Sequence, residues 1–159
     1  MEIMENGDLY LKVGVDLRQV LVSSAIMSLS SSVFKTMLNS QFREGLSNHV
    51  GPGKPVVNLP DDDAEGMIIL CRIFHHRTEG VSSTMDAKSS KVIAHLSDRY
   101  DCLKSIKPWL LMWMNDNYNE AYGLETLYNT LQVTYLLDLP ARFTGISLHI
   151  MMQDWRTYT

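Results

Sequence analysis

Apolar and polar positions alternate at the start of the chain. Leu9, Leu11 and Val13 interleave with Tyr10 and Lys12, a period of two that predicts a half-buried strand. Gly14-Val15-Asp16 suits a turn, and Val20 and Val22 continue the alternation on a returning strand, so the two form a hairpin. The period then changes. Ser23 or Ser24 offers an oxygen to the free N–H groups of a helix start, and Ile26 and Leu29 fall on one side of that helix. Ser30-Ser31-Ser32 interrupts the pattern before Val33, Phe34, Met37 and Leu38 resume it, which predicts two short helices rather than one long helix.

Gly45, Gly51, Pro52, Gly53 and Pro55 mark a loop by composition. Val56-Val57-Asn58-Leu59 is a short strand closed by Pro60. Asp61-Asp62-Asp63-Ala64-Glu65 follows, where carboxylates offset the partial positive charge of a helix N-terminus. Asp62 with Glu65 makes a loose capping box. Met67, Ile68, Leu70, Cys71, Ile73 and Phe74 are apolar on most faces, so this helix is expected to be deeply buried. Residues 79–90 are polar and read as a second loop. Val92, Ile93, Leu96 and Tyr100 mark the next helix, followed by Leu103 and Ile106. Pro108 suits the first turn of another helix, with Trp109, Leu110, Trp113 and Met114 on its apolar face. After a polar connector, Leu124, Leu127, Tyr128, Leu131 and Tyr135 form an amphipathic helix that ends near Asp138, because Pro140 disfavours helical geometry at Leu139. A last helix from about Ala141 carries Phe143, Ile146, Ile150 and Met151. The pattern therefore predicts an α+β chain: three short strands before residue 60, and six or seven helices.

Composition narrows the function classes. The 159 residues are 45% hydrophobic and 20% charged, the balance of an ordinary globular domain. Such a chain buries roughly 70% of its unfolded surface, enough for a core without disulfides or metal. The net charge of −4 and the absence of a Lys/Arg cluster disfavour direct nucleic-acid binding and an anionic membrane surface as partner. No apolar run approaches a membrane span, and the acidic Met-Glu-Ile-Met-Glu-Asn start is not a secretory signal. Cys71 and Cys102 sit in apolar helical patterns, which favours reduced, buried thiols and an intracellular location, nucleus or cytoplasm.

Candidate chemistry is sparse. Cys71 and His75 lie one turn apart, yet a structural zinc site requires two more ligands at readable spacing, and His95 and Cys102 supply no such motif. His75 and His76 read as helix-end histidines near the surface. The Asp61–Asp63 run lacks the alternating spacing of a calcium loop. No Gly-x-Ser-x-Gly is present, and Gly51-Pro52-Gly53-Lys54-Pro55 has the wrong spacing for a phosphate loop. No active site assembles, so the expectation is a protein that is not an enzyme and has no cofactor or bound metal. Trp109 and Trp113 read as core, and the ten methionines as adaptable filler.

Several blocks, in order, carry a resemblance: Gly7-Asp8-Leu9, then Ser31-Ser32-Val33-Phe34-Lys35-Thr36-Met37, Leu59-Pro60-Asp61-Asp62, Leu70-Cys71-Arg72-Ile73-Phe74-His75, and the run from Ile93 to Cys102. Together they resemble a BTB/POZ domain over residues 7–115. The segment Leu136 to Phe143 is similar to the helices that follow such domains in fungal proteins. The resemblance implies a small three-stranded sheet flanked by a helical bundle over residues 1–115, with a C-terminal helical extension, 116–159, packed on it. It implies a protein–protein interaction module. Two departures limit what carries over. Ser23-Ser24 replaces the His-Lys of the family, so Asp8 loses the basic partner of the family's charged pocket. Only six residues precede Gly7, so the usual strand-swapped homodimer is not supported.

Phe42-Arg43-Glu44 follows Phe34 at the spacing where cullin-binding BTB domains carry a hydrophobic-x-Glu element. The resemblance thus implies an adaptor for a cullin ubiquitin ligase scaffold, with Phe42, Arg43, Glu44, Phe34 and Met37 at or beneath the contact. The same residues also fit a helix end before Gly45, with Phe42 tucked into the core. The alternative function is a homo- or hetero-oligomerisation module in transcriptional regulation. A self-complementary apolar patch across a two-fold axis would favour it.

Overall fold

A computed structural model describes residues 1–39, 53–117 and 123–157. The period-two segments form a three-stranded mixed sheet in the order β2-β1-β3. Strand β1 (Leu9–Val13) pairs antiparallel with β2 (Arg18–Val22), Leu11 opposite Val20, and parallel with β3 (Val56–Leu59), Leu11 opposite Val57. As the central strand, β1 sends Leu9, Leu11 and Val13 wholly into the core. The hairpin turn places Gly14 and Leu17 at positive φ, 75° and 49°. Glycine takes this geometry without a Cβ penalty; Leu17 does not. The outer edge of β2 is covered by the N-terminal residues, since Ile3 N–H donates to the Leu21 carbonyl and Leu21 N–H to that of Met1. This pairing satisfies an edge that would otherwise offer free backbone groups, and it buries Leu21 on the face opposite Val20 and Val22.

Seven α-helices are present among the described residues. The serine triplet does split the first helical segment, into α1 (Ser24–Ser30) and α2 (Ser32–Met37). Ser31 stands between them in extended geometry and caps α2 by accepting from Phe34 N–H at 3.0 Å. The buried side chains of the pair are Met27, Ser31 and Phe34, whereas Leu29, placed by the pattern on the same side as Ile26, is 89% exposed. With the chain bent at Ser31, the inward face runs through residues 27, 31 and 34.

Helix α3 (Ala64–Phe74) is the centre of the molecule. It touches β2, α1 and two later helices, and Met67, Leu70 and Cys71 are almost fully buried. Its N-cap is Asp63, which accepts from Gly66 N–H at 2.7 Å. The expected Asp62–Glu65 box does not form: Glu65 pairs with Arg18 across to β2, and Asp62 turns inward. Helix α4 (Ala87–Arg99) starts five residues before the first apolar position that marked it, because Asp86 accepts from the N–H and hydroxyl of Ser89. Asp101 then adopts φ 49°, and Cys102 N–H returns to the Ser97 carbonyl, closing α4. Leu103 therefore opens a separate helix, α5 (Leu103–Asn117), and Pro108 lies inside it rather than in its first turn.

Helix α6 (Leu124–Leu136) packs along α4. Ala87 and Ser90 of α4 border a small gap together with Thr130 and Val133 of α6, and all four are buried. Val133 and Leu137 enter the main core with Trp113 and Leu110. Helix α7 (Pro140–Thr157) packs on α6 through a second, smaller cluster of Leu127, Ile146 and Ile150. No helix among the described residues is long and apolar enough to cross a membrane.

Candidate protein-interaction surface

The α1–α2 pair is held from beneath by one polar and aromatic junction. The Phe34 ring, fully buried, stacks on Tyr100 with centroids 4.7 Å apart and planes 10° from parallel. Ser31 donates its hydroxyl to the Tyr100 carbonyl at 2.5 Å, so the residue that caps α2 also ties it to the end of α4. Tyr100 in turn donates its phenol to the Asp62 carboxylate, whose other oxygen accepts from Arg99. Ser32 adds a hydrogen bond to Asp101. Burial and the bond to Asp62 push the Tyr100 phenol well above its usual pKa, so it stays a donor at any physiological pH.

The other end of α1 is fixed by Asp8 and His75. Asp8 accepts from Ser24 N–H at 2.7 Å and from the Ser24 hydroxyl at 2.5 Å. Ser24 therefore engages Asp8 as a donor at the start of α1. Ser23 N–H donates to His75 Nε2 at 3.0 Å. The Cys71 carbonyl, 2.7 Å from Nδ1, can only accept, so Nδ1 carries the ring hydrogen and the imidazole is neutral. His75 is thus buried, contrary to the expected surface position, while His76 is exposed. Burial lowers the His75 pKa; the bond to the Cys71 carbonyl opposes this, and the charge of His76 adds to it.

With this support in place, α1 and α2 present Ala25, Leu29, Ser32, Lys35 and Thr36 outward. Phe34, expected at or beneath a contact, lies beneath: no partner reaches a side chain with no exposed surface. Met37 is half-buried against the core. Phe42, Arg43 and Glu44 lie outside the described residues. The Tyr100 and Asp62 roles were not visible in the local pattern, because their partners lie 38 residues apart in the chain.

The described residues offer little else for chemistry. No group of three or more His, Cys, Asp or Glu among them is arranged to hold a metal ion. Cys71 and Cys102 are buried thiols, each pushed up to about 12 chiefly by desolvation, and so are poor nucleophiles. Comparison of the chain with family models and with curated proteins found no match.

Proposed function

We propose that this chain is a BTB/POZ-type protein–protein interaction module, acting inside the cell as an adaptor on a cullin ubiquitin ligase scaffold. One observation supports the reading above the others: Ser31, Phe34, Asp62 and Tyr100, drawn from three separate blocks of the resemblance, meet in a single packed junction. Chance similarity of short motifs gives no reason for those positions to converge. The strand order, with a hairpin followed by a parallel third strand after two short helices, is compatible with such a domain.

In this reading the junction holds α1 and α2 as a rigid platform. The segment that follows α2 carries Phe42 as an apolar anchor and Glu44 as an acceptor, the makings of a small hot spot. The test is a calorimetric titration of the purified chain with a cullin N-terminal domain, repeated with Phe42→Ala and Glu44→Ala. Binding by the wild type that either substitution removes, with thermal unfolding unchanged, supports the adaptor. A wild type that does not bind refutes it and moves weight to the oligomerisation reading.

A further inference from the structure

The N-terminal segment, the last turn of α3 and the turn that follows it line an open cavity of about 370 Å³. Five charged side chains line it, Glu2, Glu5, Arg72, Arg77 and Glu79, together with Ile3 and Gly80. Backbone bonds fix its walls. Ile3 N–H donates to the Leu21 carbonyl at 3.1 Å and Gly7 N–H to that of Met4 at 3.0 Å, which orders the segment carrying Glu2 and Glu5. Arg77 N–H donates to the Arg72 carbonyl and Val81 N–H to that of Thr78, both at 2.9 Å, which sets the turn carrying Glu79 and Gly80. Among the described residues no ion pair joins any of the five charged groups. Opposite charges share one cavity, yet they are held apart. The half-buried Arg72 shows how: its guanidinium lies so close to Gly80 that a Cβ there would overlap Nη1 and stand 2.5 Å from Cζ. The missing side chain at position 80 gives the planar fork its place in the cavity wall.

We propose that this cavity binds a short zwitterionic peptide, two or three residues with free ends. Its terminal carboxylate sits on Arg72 and Arg77, and its terminal ammonium among Glu2, Glu5 and Glu79. The charges of the lining select this class. Three carboxylates stand with two guanidiniums, so a phosphate or other polyanion meets repulsion from the glutamates, and a polyamine from the arginines. A ligand with one charge of each sign, at opposite ends, finds a partner for both. The guanidinium fork also matches a carboxylate in two-point geometry, which an ammonium in its place would not. The volume corresponds to about a dozen waters at ~30 Å³ each, the size of a di- or tripeptide. Exposed charges are screened by solvent, so a weak complex is expected, with dissociation on the order of 1 mM. This inference stands apart from the proposed adaptor role and uses none of its residues.

The test is an amide-resonance titration of the ¹⁵N-labelled chain with trialanine to about 10 mM, repeated with N-acetyl-trialanine, with trialanine amide and with the peptide blocked at both ends. Trialanine is expected to shift the amides of Ile3, Arg72 and Gly80, and blocking either end to weaken binding at least tenfold. Arg72→Gln should weaken it as much. Gly80→Ala keeps every charge and displaces only the end of a flexible side chain, so thermal unfolding should hold while binding falls at least tenfold. Absence of shifts with trialanine overturns the inference, as do shifts confined to other parts of the chain or undiminished binding by the doubly blocked peptide. Undiminished binding by one singly blocked form overturns the zwitterion assignment, and undiminished binding by Gly80→Ala overturns the role given to Arg72. Cullin titration of Gly80→Ala separates the two proposals, because the adaptor reading predicts no change there.

Discussion

Replacing Tyr100 with Phe isolates one hydrogen bond in the junction that supports α1 and α2. The ring remains, so its stacking on Phe34 at 4.7 Å is kept. Only the phenol donated to Asp62 is lost. The Asp62 side chain is 3% exposed, so the carboxylate cannot recover that bond from water. A hydrogen bond to a charged acceptor contributes about 1.5–3 kcal/mol, and leaving a buried acceptor short adds to the loss. We expect about 2 kcal/mol of destabilisation, a fall in Tm of roughly 4–8 °C for a chain of this size. Arg99→Ala removes the other partner, but the Arg99 side chain is 59% exposed and its attraction is screened by solvent. We therefore expect Arg99→Ala to cost less than Tyr100→Phe. Urea unfolding followed by the fluorescence of the chain's tryptophans, Trp113 being fully buried, measures both, and an unchanged m-value shows that the change lies in stability alone. A Tyr100→Phe loss below about 0.5 kcal/mol, or an Arg99→Ala loss larger than it, would refute the picture of a desolvated carboxylate held chiefly by the phenol.

His75 makes stability pH-dependent. Its folded pKa is depressed by burial, so below the ordinary histidine range near 6.5 the unfolded chain takes up a proton that the folded chain resists. Stability is expected to fall as pH drops through that range, by at most about 1.4 kcal/mol per pH unit from this group. His75→Gln, which keeps an acceptor for Ser23 N–H, should flatten the fall, and an identical pH profile in the variant would count against it. Gly7→Ala is expected to destabilise by about 1–3 kcal/mol, because a Cβ there would stand 2.6 Å from the Val22 carbonyl oxygen and 2.8 Å from Leu21 Cγ; chemical denaturation reads this directly. Asp63→Ala removes the N-cap of α3 and should lower stability by about 1 kcal/mol, whereas Asp61→Ala, two residues before the cap, should be near neutral in the same assay.

What the sequence made legible follows the range over which each signal acts. Strands β1 and β2 were plain because a period of two is read within five residues, and the serine break was plain because Ser31 caps the very next turn. The start of α4 is hidden in the sequence because Ser89 and Ser90 have loop composition, and only the Asp86 cap turns them into a first helical turn. Pro108 reads as a helix start because that position tolerates a missing N–H, yet the turn at Asp101 restarts the chain earlier, at Leu103. Asp61, Asp62 and Asp63 could not be told apart locally. One caps a helix, and another is buried against Arg99 and Tyr100. The same limit hid His75, whose acceptor role depends on Ser23, 52 residues earlier.

The junction and the outer face of α7 place opposite demands on the chain, which argues that they serve different ends. Around Ser31, Phe34, Asp62 and Tyr100 the polar side chains meet partners, and the exposed member among them and Arg99 is Arg99. Such a network fixes one geometry and tolerates little change, which suits a scaffold for a contact made nearby. The α7 stripe is the reverse. Leu148, Met151, Met152 and Trp155 leave more than half of their surface in water, and a polar residue at Leu148, Met151 or Met152 would leave Ile146 and Ile150 packed on Leu127 undisturbed. Burial in the monomer core gives no reason to keep four large apolar side chains at helical spacing on that face.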